Sequence, residues 1–229
     1  MTRSLPFLML ASLGLAIWSG TYLIAELWVN PARHLIQIMS NPDLARGADT
    51  IDDLWPRATA SLLSARLLVP GNAEYHLWDG WLHQRQAERS PPWSNAAKGA
   101  LQSAENAYGE ALHQRPSWGL PWINRAQVRV RQGFTDEVTM ADLQRAVHFD
   151  PHNPHIVKQA MRLGFALWHG MDRDERVGFL HLLQKNVSLM PYDTIDLARR
   201  QGLLDQIRPF YAADPKFRQL WEKKLGPGR

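Results

Sequence analysis

Apolar and polar positions change rhythm along this chain. At the start there is no rhythm at all: from Ser4 to Ala25, SLPFLMLASLGLAIWSGTYLIA, 22 positions pass without a charged residue. A helix needs about 20 residues to cross a hydrocarbon core. A helix that is apolar on every face belongs in lipid or deep in a large core, not on a half-buried surface. Trp18, Tyr22 and Trp28 gather toward the far end, where amphipathic rings favour the membrane interface, and Glu26, Asn30 and Pro31 close the run. A cleaved secretory leader has a shorter apolar stretch and a small-residue cleavage site. The run is long and no clean Ala-x-Ala site follows it, so the expectation is an uncleaved anchor crossing a membrane through residues 5–29. Arg3 lies before it and Arg33 and Arg46 after it, so the basic-residue count leaves its orientation open.

Beyond the anchor, two Asn-Pro pairs predict a short juxtamembrane helix, Ala32 to Met39, and a connecting loop. Asp52 and Asp53 precede Trp55, and Pro56 reads as a first-turn residue of the next helix. A period then sets in, of the form small-x3-large-x2-Ala-x4-Pro. Ala58, Leu62, Ala65 and Pro70 fit it, as do Ala104, Tyr108, Ala111 and Pro116. Thr139, Leu143, Ala146 and Pro151 follow with Thr in the first place, and Phe179, Leu183, Asn186 and Pro191 keep only the large residue and the proline. Successive prolines stand 46, 35 and 40 residues apart, a spacing typical of helical repeats. Offsets of four and seven put the three marked residues on one helical stripe. Small residues there let a neighbouring helix come close, and the proline stops the helix.

An apolar helix follows each of the first three prolines: EYHLWDGWLHQ, LPWINRAQVRV and HIVKQAMRLGFALW. Each unit is therefore a helix hairpin that buries its face only by stacking. RQAERSPPWSNAAKG interrupts one unit with a Pro-rich insertion. The tail YDTIDLARRQGLLDQIRPFYAADPKFRQLWEKKL reads as three short helical pieces separated by Gly202, Pro209 and Pro215, closing the exposed end. No strand signal occurs. The predicted fold is all-α: an N-terminal transmembrane helix, a short α-solenoid of hairpins and a helical C-terminal cap. The expected boundaries are 1–30 for the anchor, 31–56 for the juxtamembrane helix and linker, 57–191 for the repeats and 192–229 for the cap.

The repeat set, with Trp122 and Ala126 in the helix after Pro116, resembles the tetratricopeptide repeat over about Ala58 to Pro191. In that family the first helix of each hairpin lines a peptide-binding groove. The resemblance puts Asn124 where the family carries a peptide-binding Asn, with Gln127 and Arg131 one and two turns on. The same phase offers Lys158 and Arg162 from the next unit, and Trp78, Trp81 and Arg85 from the preceding one. Such a groove carries several cations and few acids and suits carboxylates of a peptide or an acidic glycan. The alternative is a set of solvated surface charges.

Composition adds mainly exclusions. The chain has no cysteine, so disulfides, thiol nucleophiles and thiolate metal sites are ruled out. A net charge of +4 over 229 residues is too mild to argue for nucleic acid. Ten tryptophans is a high count, but Trp78 with Trp81 and Trp118 with Trp122 stand at helical spacing, which favours packing over a sugar platform. No Gly-rich phosphate loop, Gly-x-Ser-x-Gly or His-Glu-x-x-His occurs, so no catalytic residue, metal site or cofactor is assigned and the chain reads as a non-enzyme. Asp172, Asp174 and Glu175 read as first-turn helix acids, not a catalytic dyad. His148, His152 and His155 cluster in a Pro-rich turn without a supporting ligand set, and His76 and His83 read as core or edge residues.

The anchor, the linker, the degenerate repeats, the run AYGEALHQRPSWGLPWINRAQVRVRQG and the tail LARRQGLLDQIRPF together resemble the VpsP-like accessory proteins of bacterial exopolysaccharide and O-antigen polymerisation. The resemblance implies a single-pass inner-membrane protein with a periplasmic repeat domain. It also implies a scaffold for protein partners of the polysaccharide polymerisation and export machinery, with no catalytic residues to carry over. Two other roles remain open from the residues: assembly of another periplasmic system such as cytochrome maturation, or direct binding of an acidic glycan.

Overall fold

The computed structural model describes residues 5–40, 51–213 and 215–226. The chain is all-helical, with no strand among the described residues, and it divides into two compact units, Met1–Pro116 and Ser117–Arg229.

The first unit holds α1 (Leu5–Ser40), α2 (Ile51–Leu68), α3 (Ala73–Arg89) and α4 (Asn95–Gln114). Among the described residues one helix, α1, is long and apolar enough to cross a membrane. It does not stop where the anchor was expected to end. The break predicted at Asn30–Pro31 is absent and the stretch 32–39 continues the same helix. Pro31 withholds one amide from the helix. Packing outweighs that loss: Ala25, Val29, Ala32, Leu35 and Ile38, three or four residues apart, are sealed against Leu54, Ala58, Leu62 and Ala65 of α2. The second Asn-Pro pair, at 41–42, lies outside the described residues. α2 likewise starts before Pro56, with Asp52 and Asp53 in its first turn, where acids favour the helix dipole.

α3 and α4 form the second hairpin. Asn72 caps α3 by accepting from the Glu74 amide, and Ser94 caps α4 by accepting from Ala97. Of the Pro-rich stretch only residues 90–94 lie between the two helices, with Trp93 exposed and in the left-handed region at φ 63°. At Gly80 the helices touch: a Cβ there would lie 2.6 Å from the Tyr108 ring. Tyr108 then donates its hydroxyl to Gln84 Oε1 at 3.0 Å, satisfying a buried amide oxygen.

The second unit holds α5 (Gly119–Arg131), α6 (Glu137–Phe149), α7 (Pro154–Leu167), α8 (Arg173–Asn186), α9 (Pro191–Arg200), α10 (Leu204–Ala212) and α11 (Pro215–Leu225). α5 and α6 pair as a hairpin through a turn at Gly133, φ 91°. Arg125 makes two bonds to Asp142, at 2.8 and 2.6 Å, and Arg129 ties Asp136 and Thr139. α8 opens with a capping box between Asp172 and Glu175: Asp174 and Glu175 are first-turn acids as expected, while Asp172 is the N-cap. The cap has three helices as expected, but Pro209 lies inside α10 and breaks nothing there. Tyr211 is the hub of the cap: Phe217 and Trp221 ring it, and its hydroxyl donates to the Pro191 carbonyl at 2.5 Å.

The periodic positions explain both halves. Ala58, Leu62 and Ala65 on α2, Ala104, Tyr108 and Ala111 on α4, Thr139, Leu143 and Ala146 on α6, and Phe179, Leu183 and Asn186 on α8 are all buried. The proline of each set falls in the stretch that follows its helix. This is the stripe that the spacing predicts, but the hairpins close the other way: α1 pairs with α2, α3 with α4 and α5 with α6, so Pro70 and Pro151 follow a hairpin and do not stand at its turn.

Candidate functional site

Trp78, Trp81 and Arg85 lie in the first unit. Both rings are half-buried against the α1–α2 core. The Arg33 guanidinium sits 4.8 Å over Trp78, and Arg85 sits 5.0 Å over Trp81 while its Nη1 bonds Glu88 at 2.6 Å. The two tryptophans are therefore largely packing, and Arg85 already has a carboxylate partner. A third stack, Arg89 over Trp55, repeats the motif at the other end of α2.

Asn124, Gln127, Arg131, Lys158 and Arg162 lie in the second unit. Asn124, Gln127 and Arg131 are half-buried on α5, which packs directly on α7. Arg162 on α7 is exposed. Lys158 is not a free cation: its Nζ donates to Asp193 Oδ2 at 2.9 Å, pinning α7 to α9. Of the residues expected in a groove, these five come from two adjacent helices.

A concave feature lies on α6 and α8. A cavity of about 760 Å³ opens between α6, the turn after it and α8. Arg145, His148, His152, His181 and Lys185 line it, with Gln144, Asn186 and Ser188 as further polar groups and Val147, Leu182 and Leu189 as apolar floor. Among the described residues no carboxylate lines it. Its size is that of an ordinary ligand or side-chain cluster pocket. Arg145 is held in place: it stacks on Trp122 at 4.8 Å, and Arg125 covers the same ring at 4.8 Å. Behind them the Asp142 side chain is fully buried, and burial pushes its carboxyl up from the usual range against the pull of Arg125, Arg129 and Arg145.

Sequence reasoning passed over Arg145 and Lys185, because attention to the first helix of each hairpin sets aside the second. A signal was present: Arg145 with His148 and His181 with Lys185 stand three and four apart without an acid between. His148 and His152 share the cavity with His181, but no group of three acidic or imidazole ligands among the described residues is placed to hold a metal. His155 is not in the lining. His76 is a buried core residue bonded through Nε2 to the Pro70 carbonyl at 2.8 Å, and His83 stands at the helix edge, 3.7 Å from Asp79.

No family model matches the chain, and no curated protein matches it.

Proposed function

We propose that the protein is a membrane-anchored, non-catalytic repeat scaffold. It docks acidic segments of protein partners at the bacterial inner membrane, from the periplasmic side, in surface-polysaccharide polymerisation or export. The observation that carries the scaffold reading is the double use of α1. Its N-terminal half exposes Met9, Leu10, Leu13, Leu15, Ile17 and Trp18, while its C-terminal half is the first helix of the packed hairpins. Tether and domain are thus one rigid element in the first unit. Confinement at a surface raises the effective concentration of docking groups toward other membrane proteins. The acid-free cavity of α6 and α8 supplies cations and amide donors that suit carboxylates. The choice of pathway rests on the sequence resemblance.

The test is crosslinking in intact cells, followed by detergent extraction, affinity purification and mass spectrometry. Enrichment of polysaccharide polymerase, co-polymerase or export components is the expected outcome. Enrichment of cytochrome-maturation proteins instead would overturn the pathway and keep the scaffold. Recovery of bound glycan with no protein partner would overturn the docking role itself.

A further inference from the structure

The α1–α2 hairpin fixes the depth of its residues relative to the anchor. α2 runs back along α1, and two contacts mark its ends. Arg89, at the end of α3, pairs with Asp52 at the start of α2, on the side where α1 ends. At the other end Tyr75, just after α2, donates its hydroxyl to Glu26 at 2.7 Å. Glu26 is the first charged residue after the apolar run. The last turns of α2 therefore stand level with the place where α1 leaves the lipid.

Those turns are apolar on the outside. Leu67 is 75% exposed, Leu63 55% and Leu68 36%. Leu63 and Leu67 stand four apart on one face, away from Leu62 and Ala65, which pack on α1. The one charge among them, Arg66, is drawn to Asp79 of α3. At the same level α1 exposes Leu23, Ile24, Leu27 and Trp28. Two neighbouring helices thus present one apolar rim around the exit of the anchor. Scattered surface leucines need no explanation, but a contiguous apolar patch marks an interaction surface.

We propose that the C-terminal turn of α2 is a second membrane contact: Leu63, Leu67 and Leu68 insert into the headgroup–acyl boundary of the leaflet from which α1 emerges. The occupant is lipid because the rim is continuous with the lipid-facing surface of α1 and lies at its exit depth. Amphipathic helical segments bind this boundary by their apolar face. The first unit then rests on the bilayer at a fixed tilt, and does not stand off on a stalk. The proposal rests on α1 crossing the membrane, and the test separates the two.

The chain has no cysteine, so single substitutions carry a spin label without background. Ile17→Cys, Leu67→Cys and Gln86→Cys full-length chains are labelled in nanodiscs of phosphatidylethanolamine and phosphatidylglycerol. Collision with oxygen, which partitions into lipid, is compared with collision with a water-soluble nickel chelate. All three positions are exposed, so folding is kept, and far-UV circular dichroism checks it. The expected result is a deep label at 17, a label favouring oxygen at 67 and an aqueous label at 86. A deep label at 17 with an aqueous one at 67 overturns the second contact and leaves the anchor. An aqueous label at 17 overturns both. A label at 67 shielded from both reagents shows a protein cover, such as a second copy, and overturns the lipid assignment.

Discussion

Single residues decide how closely the hairpins close. Gly80 lies flat under Tyr108, and Gly164 does the same under Phe179, so a β-carbon at either place meets a ring. Overpacking of this kind costs about 1–3 kcal/mol. Gly80→Val should lower stability by about that amount. Gly99→Ala on α4, where a β-carbon meets nothing, should be neutral or gain up to about 1 kcal/mol from helix propensity. Urea unfolding of the detergent-solubilised chain, followed by circular dichroism, checks both; equal effects would show that the ring contact is not the cause. The buried stripe of Ala58, Ala104 and Ala111 was legible because period alone marks it. The glycine contacts were not, since the sequence does not say which ring faces which glycine. Lys158 shows the same limit for the site. It reads as a groove cation, yet Asp193, distant in sequence, neutralises it in space.

At the scale of elements, α1 carries the main lesson. Its apolar run announces a membrane helix by composition, and Pro31 announces an end. The end does not come, because the i+3 and i+4 positions beyond it have a partner to bury against in α2. Local breaker signals are weak priors that tertiary packing overrides, and the partner lies beyond the window in which they are read. Removing α1 therefore removes half of a core. A fragment of residues 41–229 leaves Leu54, Ala58, Leu62 and Ala65 uncovered, while a fragment of residues 22–229 keeps their cover. The shorter fragment should aggregate or show broadened amide spectra around α2, and the longer one should stay folded in mild detergent. Size-exclusion chromatography and hydrogen exchange decide between them. Equal protection of α2 amides in both fragments would mean that α1 contributes nothing to this packing. The end of α1 was misread from sequence because a packed neighbour is specific, whereas the apolar length of α1 is a matter of composition alone.

Across the whole molecule, charge location matters more than charge amount. The net charge of +4 exerts little long-range pull, and exposed charges are screened beyond about 8 Å at physiological salt. Docking of acidic segments must then come from cations gathered in one concavity. The cavity of α6 and α8 meets that condition, since Arg145 and Lys185 line it with three imidazoles and no acid among the described residues. Arg57 on α2 and Lys98 on α4 are exposed cations remote in sequence from this cavity and not in its lining. The double variant Arg145→Glu/Lys185→Glu should reduce crosslinked partner recovery by at least about tenfold, because like-charge juxtaposition at an interface costs several kcal/mol. Arg57→Glu with Lys98→Glu changes the net charge by the same amount and should leave recovery within about twofold of the parent, since exposed charges outside the binding cavity contribute little. Raising salt should weaken recovery with the parent and with the Arg57/Lys98 variant alike, while the Arg145/Lys185 variant should lose its salt dependence. Equal losses in both double variants would point to the total charge of the chain, and no loss in either would remove the cavity from the docking surface. The local arrangement is favoured because Arg145 is already stacked on Trp122 before any partner arrives, so little side-chain freedom remains to be lost on binding.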